Sequence, residues 1–430
     1  MEVGEVVTMS VKTLNKVDLH ETLSAFSLSD TTDLFNTGRK TVVEPAEIGG
    51  VKVNYYINEY WTSRQRQANN LHEIAYRACF KPQLPGFFIS LLSQENDTIF
   101  DPFAGRGTTV IEAALMNRRV ISNDINPLSR TLTRPRLFLP DIEFLEERLV
   151  TIAFDYTAKA DLDLTMFYHP KTESEIVSLK HYLKNRQEYG KEDELDSWIR
   201  MVATNRLTGH SPGYFSVYTL PPNQAVSPSN QVKINEKRKQ KPDYRNTRDL
   251  IIKKTLSLIK DIRNGTRATL RNIGGTAEFF SEDARNICGI ENDTVQLTVT
   301  SPPFLDVVQY ADDNWLRCWF NSIDSNTMGA KISVKKSIDE WASIMMDVFA
   351  ELYRITRPGG YVAFEVGEVR GGKVNLEERI VPCGIKANFR CLGIMINEQE
   401  FTKTANIWGV KNNLKGTNTN RIVLFVKSEA

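Results

Sequence analysis

Two short stretches of this chain hold residues whose types and spacing could do chemistry on a planar amine. Ser301-Pro302-Pro303-Phe304 closes one apolar run, and Asp101-Pro102-Phe103-Ala104-Gly105-Arg106-Gly107-Thr108-Thr109 closes another. An exocyclic amine on an aromatic ring is a poor nucleophile, because its lone pair is delocalised into the ring. A site that activates it must draw its N–H groups toward acceptors and aim the nitrogen at an electrophilic carbon. The Ser301 hydroxyl and the Pro302 carbonyl are such acceptors, and paired prolines stiffen the loop that carries them. Phe304 supplies a flat face on which a base can stack.

The second stretch reads as a ligand loop. Gly105 and Gly107 leave room for the backbone to approach a bound molecule closely. Thr108 and Thr109 open the following helix and offer hydroxyls and backbone N–H groups to a polar end. Asp124 stands at the tip of the next strand, at a separation from the loop where an acid commonly holds a ribose hydroxyl pair. Asp283, after a later strand, could meet the amino group of an adenine. The loop has neither a third glycine nor Gly-Lys-Ser/Thr, which argues against dinucleotide and P-loop readings.

These residues need elements to position them. Residues 98–101 and 119–124 read as buried strands around a helix at 109–117, a βαβ unit that implies an α/β fold with a doubly wound, mostly parallel sheet. Strand patterns resume at 277–280, 295–299, 361–366 and 421–426. A long amphipathic helix runs over 338–355 and is stopped by Arg357-Pro358-Gly359-Gly360. Between 141 and 270 the alternation breaks into helical patterns (143–155, 173–189, 250–263), a loop-rich stretch and a basic run from Lys233 to Arg248. The expected organisation is an arm at 1–50, a catalytic body made of 51–140 and 271–430, and a largely helical inserted subdomain at 141–270.

The composition is that of a globular protein: 430 residues, 41% hydrophobic and 25% charged. A net charge of +1 excludes a global cationic surface, so contact with nucleic acid must be local. The five cysteines show no Cys-x-x-Cys spacing, and no His/Cys/Glu grouping suggests a metal. With no long apolar run, a soluble cytoplasmic protein is expected.

The two motifs together resemble those of the amino-directed DNA methyltransferases that use S-adenosylmethionine. Residues 101–109 are similar to that family's Asp-Pro-Phe-x-Gly-x-Gly-Thr-Thr cofactor motif. The resemblance implies that Asp101, Phe103, Ala104, Gly105, Gly107, Thr108, Asp124 and Asp283 serve the cofactor. Residues 81–92 sit where the family has another cofactor-contacting segment. Ser301, Pro302, Pro303 and Phe304 resemble the catalytic motif of the cytosine-N4 members, whereas adenine-N6 members usually begin it with Asp or Asn. The order of the motifs, with a large segment between them, is similar to a class whose target-recognition domain lies in the middle. Residues 141–270 are therefore the candidate DNA-reading part. Lys237, Arg238, Lys239 and Arg245 are its candidate phosphate contacts, beside Lys233, Lys241 and Arg248, with Tyr214, Phe215, Tyr218 and Tyr244 interleaved. Double-stranded DNA is the implied partner, and a cognate restriction nuclease is a second candidate. The expected activity is methylation of cytosine N4. The alternatives are adenine N6, a guanine amine in RNA, or a catalytically silent binding subunit. Val381-Pro382-Cys383 raises a cytosine-C5 reading, but an ordinary buried cysteine fits its position better.

Overall fold

The computed structural model describes residues 18–27, 40–61, 68–77, 79–221, 225–303, 310–324, 337–369, 374–398 and 419–429. Its frame is a nine-stranded sheet made of β1 (Val42–Ile48), β2 (Val51–Asn58), β3 (Thr98–Asp101), β4 (Arg119–Asn123), β5 (Glu278–Phe280), β6 (Val295–Thr300), β7 (Thr356–Val366), β8 (Arg390–Glu398) and β9 (Thr419–Val426). The spatial order is β1-β2-β8-β9-β7-β6-β3-β4-β5. Strands β7, β6, β3, β4 and β5 run parallel, and β9 enters antiparallel between β7 and β8. Chain order runs outward in one direction from β3 to β5 and in the other from β6 to β7. The reversal lies between β3 and β6, whose carboxyl ends carry the two motifs.

Side-chain alternation along the central strands explains why both faces of the sheet are covered. Ile99, Leu297, Val299, Ala363, Ile422 and Leu424 enter one apolar cluster; Phe100, Val295, Val362, Phe364, Val423 and Phe425 enter the other. Val295–Thr300 is buried throughout although Gln296, Thr298 and Thr300 alternate with its apolar residues; Gln296 donates to the Leu92 carbonyl and Thr300 to Asp101, as buried polar groups require. The second face is covered by the long helix Ile338–Ile355, which buries Trp341, Met345, Val348, Phe349 and Leu352, and by Glu377–Lys386. Trp341, Met345, Val348 and Leu352 fall at three- and four-residue spacing, so a single stripe meets the sheet.

Helices α1 (Leu19–Ser24) and α2 (Gln83–Leu92) precede the first motif, α3 (Thr108–Leu115) opens on its two threonines, and α4 (Leu128–Thr133) follows β4. Helices α5 (Ile142–Thr151), α6 (Pro170–Glu188), α7 (Glu194–Arg206), α8 (Pro228–Arg238), α9 (Thr247–Ile259) and α10 (Asn264–Thr276) all fall between β4 and β5. Their buried residues, Leu145, Trp198 and Ile251 among them, join the same cluster as Ile99 and Leu297. The helical region thus shares its core with the sheet. The stretch expected to be a loose arm is corrected in its described parts. Residues 42–48 pair antiparallel with 51–58 at the sheet edge, and Leu19 and Leu23 of α1 are buried. Among the described residues no helix is long and apolar enough to cross a membrane.

Gly107 carries a requirement of its own. Its φ is +74°, and a Cβ there would lie 2.3 Å from the Thr133 side chain of α4. The position therefore serves helix packing, whereas the sequence reading assigned it to ligand approach. Gly107→Ala is expected to cost about 2 to 4 kcal/mol in urea unfolding, from left-handed strain plus overpacking. A loss below about 0.5 kcal/mol, the range of indifferent surface changes, would contradict this packing.

Candidate active site

The loops after β3, β4, β5 and β6 surround one cavity. Gly105 turns with φ +53°, and its N–H donates to Asp124 Oδ2 at 2.8 Å, while the Asn126 N–H donates to Oδ1 at 2.9 Å. These two donors fix the carboxylate at the tip of β4. Its enclosed surroundings still push it up to about 6, although both N–H groups pull it back. Phe103, Ala104, Gly105, Thr108, Asp124 and Asp283 all line the cavity, and so do Ser301 and Pro303. The structure brings residues of both motifs to one space.

Two of the expected ligand residues play other parts. Asp101 is buried and lines no part of the cavity; its Oδ1 accepts from Thr300 Oγ1 at 2.6 Å and from the Phe103 N–H at 3.1 Å. It ties the tip of β3 to the tip of β6. Burial pushes its carboxyl up to about 7, a rise that the Thr300 and Phe103 donors moderate. Gly107 faces α4, as described above. Pro302 is buried, and its neighbours Ser301 and Pro303 are the residues of this loop that line the cavity. Phe304 lies outside the described residues.

The segment at 81–92 was expected to touch the cofactor, but α2 turns Leu84, Phe88 and Ile89 into the core. The cavity is instead lined by Tyr76, Cys79 and Phe80, just before it. A further wall comes from the long helix, through Trp341, Ile344, Met345 and Val348. At the rim, Asp283 is held by Arg285 at 3.0 and 2.6 Å, which keeps its carboxyl below the usual carboxylate value.

Glu365 of β7 is a site residue that the sequence reading missed. It is 8% exposed, accepts from Asn420 Nδ2 at 3.0 Å and lies near enough to the Ser301 side chain for the hydroxyl to lower its pKa. Burial raises its pKa, and Ser301 and Asn420 partly offset the rise. An acid within the apolar run Phe364-Glu365-Val366 was the available signal. When the hydroxyl hydrogen points to Glu365, the Ser301 oxygen presents its lone pairs to the cavity, the orientation an amine donor requires.

The basic run divides in two. Lys233, Lys237, Arg238, Lys239 and Lys241 are exposed on and just after α8, and the Arg238 guanidinium lies 3.7 Å from the centre of the Tyr218 ring. Arg245 is corrected: its Nη1 donates to the carbonyls of Ser211, Tyr214 and Ser216, and the rest of its guanidinium meets Asp243. It staples the loop at 211–216. Arg248 likewise turns inward, over Phe154 and onto the Ile152 carbonyl. Tyr214 and Phe215 are buried, so neither offers a stacking face to a partner. Past the catalytic loop, Asp313 pairs with Arg77 at 2.9 Å, and Trp315 donates to the Val226 carbonyl. Cys383 is buried, its thiol raised to about 11 and bonded to the Arg379 carbonyl, as an inert cysteine would be. Among the described residues no three His, Cys, Asp or Glu side chains are grouped to hold a metal.

Because the Asp101 carboxyl titrates higher in the folded chain than the usual unfolded value near 4, folding takes up a proton between those values. Its contribution therefore becomes less favourable as pH rises from about 4 to about 7. Asp101→Asn keeps an acceptor for Thr300 and cannot ionise. Urea unfolding of this variant is expected to show a weaker loss of stability over that range and higher stability than the parent at pH 8. An unchanged pH profile would show that Asp101 does not titrate in this way.

Residues 16–131 match the DNA methylase family of N6- and N4-directed methyltransferases. The match begins within the stretch first read as an arm. The chain is 28% identical over 151 residues to the type II methyltransferase M.MjaII of Methanocaldococcus jannaschii, covering 35% of this chain and 27% of that protein. It is 33% identical over 86 residues to the type II methyltransferase M.MvaI of Kocuria varians, covering 19% of this chain and 18% of that one. The aligned regions thus span between a sixth and about a quarter of these relatives' lengths. A crystal structure of a SAM-dependent methyltransferase from Methanosarcina mazei overlaps 80% of this chain and 98% of its own, at 10% identity and a TM-score of 0.30.

Proposed function

We propose that this chain, whose residues 16–131 belong to the amino-directed N4/N6 DNA methylase family, transfers a methyl group from S-adenosylmethionine to the N4 amine of cytosine in double-stranded DNA. The observation that carries this reading is the opening of Ser301 and the Gly105–Asp124 pair into one cavity. The cavity suits the cofactor. Asp124 offers acceptors to ribose hydroxyls, Gly105 presents bare backbone, and Ile344, Met345 and Val348 give an apolar wall for a flat ring. When bound, the cofactor supplies a methyl carbon made electrophilic by its sulfonium.

The residues of this chain act on the amine. Ser301 accepts one amine hydrogen through the lone pairs that Glu365 leaves free, and the Pro302 carbonyl accepts the other. Drawing the hydrogens into that plane localises the nitrogen lone pair and leaves it free to be aimed at the methyl group that a bound cofactor would supply, with the thioether as the group that would leave. The nitrogen then releases a proton, for which Ser301 and Glu365 form a short path. Serine at the first motif position favours cytosine N4 over adenine N6. A target base held inside the duplex cannot reach Ser301, so the proposal includes base flipping. The exposed cations on and just after α8, Lys237, Arg238 and Lys239 among them, are its phosphate contacts.

The test is incubation with double-stranded DNA and methyl-labelled S-adenosylmethionine, digestion to nucleosides, and mass spectrometry against standards. N4-methylcytosine is the expected product. N6-methyladenine would move the assignment to adenine, and C5-methylcytosine or no labelled base would overturn it. Ser301→Ala is expected to lower kcat by about a hundredfold, the range of a lost proton-handling group, with cofactor affinity nearly unchanged. Glu365→Gln, which keeps a hydrogen-bonding side chain and removes the proton acceptor, is expected to fall between the two. A parallel loss of cofactor binding in Ser301→Ala would contradict the role given to the hydroxyl.

A further inference from the structure

A loop that reads Ser-Pro-Pro has a particular difficulty in holding its shape. Neither proline has an N–H, so residues 302 and 303 cannot anchor themselves by backbone donation. Every hydrogen bond that fixes them must arrive from elsewhere, at their carbonyls or at the serine side chain. The structure supplies two such anchors. The Ser301 hydroxyl lies beside Glu365, whose pKa it lowers. On the other side, the Trp341 indole N–H donates to the Pro303 carbonyl at 3.0 Å.

Trp341 is 1% exposed and sits in the first turn of the helix Ile338–Ile355. The same helix places Ile344, Met345 and Val348 against the cavity. One rigid element therefore walls the space for the cofactor and grips the loop that receives the amine. An indole is suited to this, since it buries a large apolar ring and directs a single donor from its edge.

We infer that Trp341 is a positioning residue that sets the Pro302 carbonyl as the second amine acceptor. It pins Pro303 to the helix that lines the cofactor space. This inference rests on the methyl-transfer reading above. With Ser301 and Pro303 both anchored, the peptide between them has little freedom to rotate. Loss of one anchor frees the Pro302 carbonyl and spoils the alignment of the amine with the methyl carbon, while the walls of the cavity remain.

Two variants separate the donor from the ring. Trp341→Phe keeps an aromatic group and removes the donor. Genetic incorporation of 3-benzothienylalanine at position 341 keeps the bicyclic shape and puts sulfur in place of the N–H, so it tests the inference even if the phenylalanine variant folds poorly. In both, kcat for DNA methylation is expected to fall about tenfold, as for the loss of one positioning hydrogen bond. In the benzothienyl variant, whose ring still fills the place of Trp341 in the cavity wall, the cofactor dissociation constant, read by equilibrium binding, is expected to stay within about twofold. A benzothienyl variant with parental kcat would overturn the inference, and so would one in which cofactor binding weakened in step with kcat. The two readings fail in different ways. Absence of methyl transfer by the parent protein would remove the function itself, whereas parental turnover in the variant would remove only the role of Trp341.

Discussion

The hydrogen bond between Thr300 and Asp101 is the constraint on which the rest of the site depends. It joins the last residues of β6 and β3 at 2.6 Å, at the point where the order of the sheet reverses. Both partners are almost fully buried, so the bond lies where an unpaired hydroxyl or carboxyl would be costly. Ladder pairing between the two strands extends only over Ile99↔Leu297 and Phe100↔Thr298. Beyond that, the side-chain bond and the one from Thr109 to the Val299 carbonyl set how the tips diverge. The glycine turn follows one tip directly and Ser301 follows the other, so their separation is inherited from this clasp.

A second constraint comes from the helical region. The segment from Leu71 to Tyr76, which ends in a wall of the cavity, is held by donors from several parts of the chain. Arg136 donates to the Leu71 carbonyl, Arg106 to that of Ile74, and Arg317 and Asn205 to that of Ala75. Arg136 is completely buried, and it donates to the carbonyls of Leu132, Leu71 and Arg106. Burial and the neighbouring Arg106 lower its pKa to about 9. Carbonyl dipoles thus stand in for a counter-ion, a costly arrangement that is stable only while the geometry is kept. Asn205 belongs to α7, so the region between β4 and β5 helps to shape the cavity as well as presenting the cations of α8.

Much of this site was legible in the sequence because its signals are local. The glycine turn, the Ser-Pro-Pro stretch and the apolar runs at 98–101 and 295–299 announce themselves within a few residues. Other parts could not be read this way. Strand β1 carries two glutamates and a proline at a largely exposed edge, which erases the alternation of a half-buried strand. Glu365 becomes a site residue only when Asn420 and Ser301 arrive from distant segments. Trp341 looks like an ordinary member of a helix stripe until its indole edge meets Pro303. Arg245 shows the converse: it lies in a basic run, yet three carbonyls of a loop about thirty residues earlier claim it. Charge runs describe composition, whereas partners are set by the fold.

The central claim is that the clasp at the switch point brings a cofactor held beside Gly105 and Asp124 against an amine held at Ser301. A crystal structure with sinefungin, which carries an amine near the position of the transferable methyl, tests it directly. The account predicts the ribose on Asp124 and the sinefungin amine facing Ser301, with room for a base nitrogen at about 3 to 3.5 Å. A ligand bound outside this cavity, or one whose amine points away from Ser301, would contradict it.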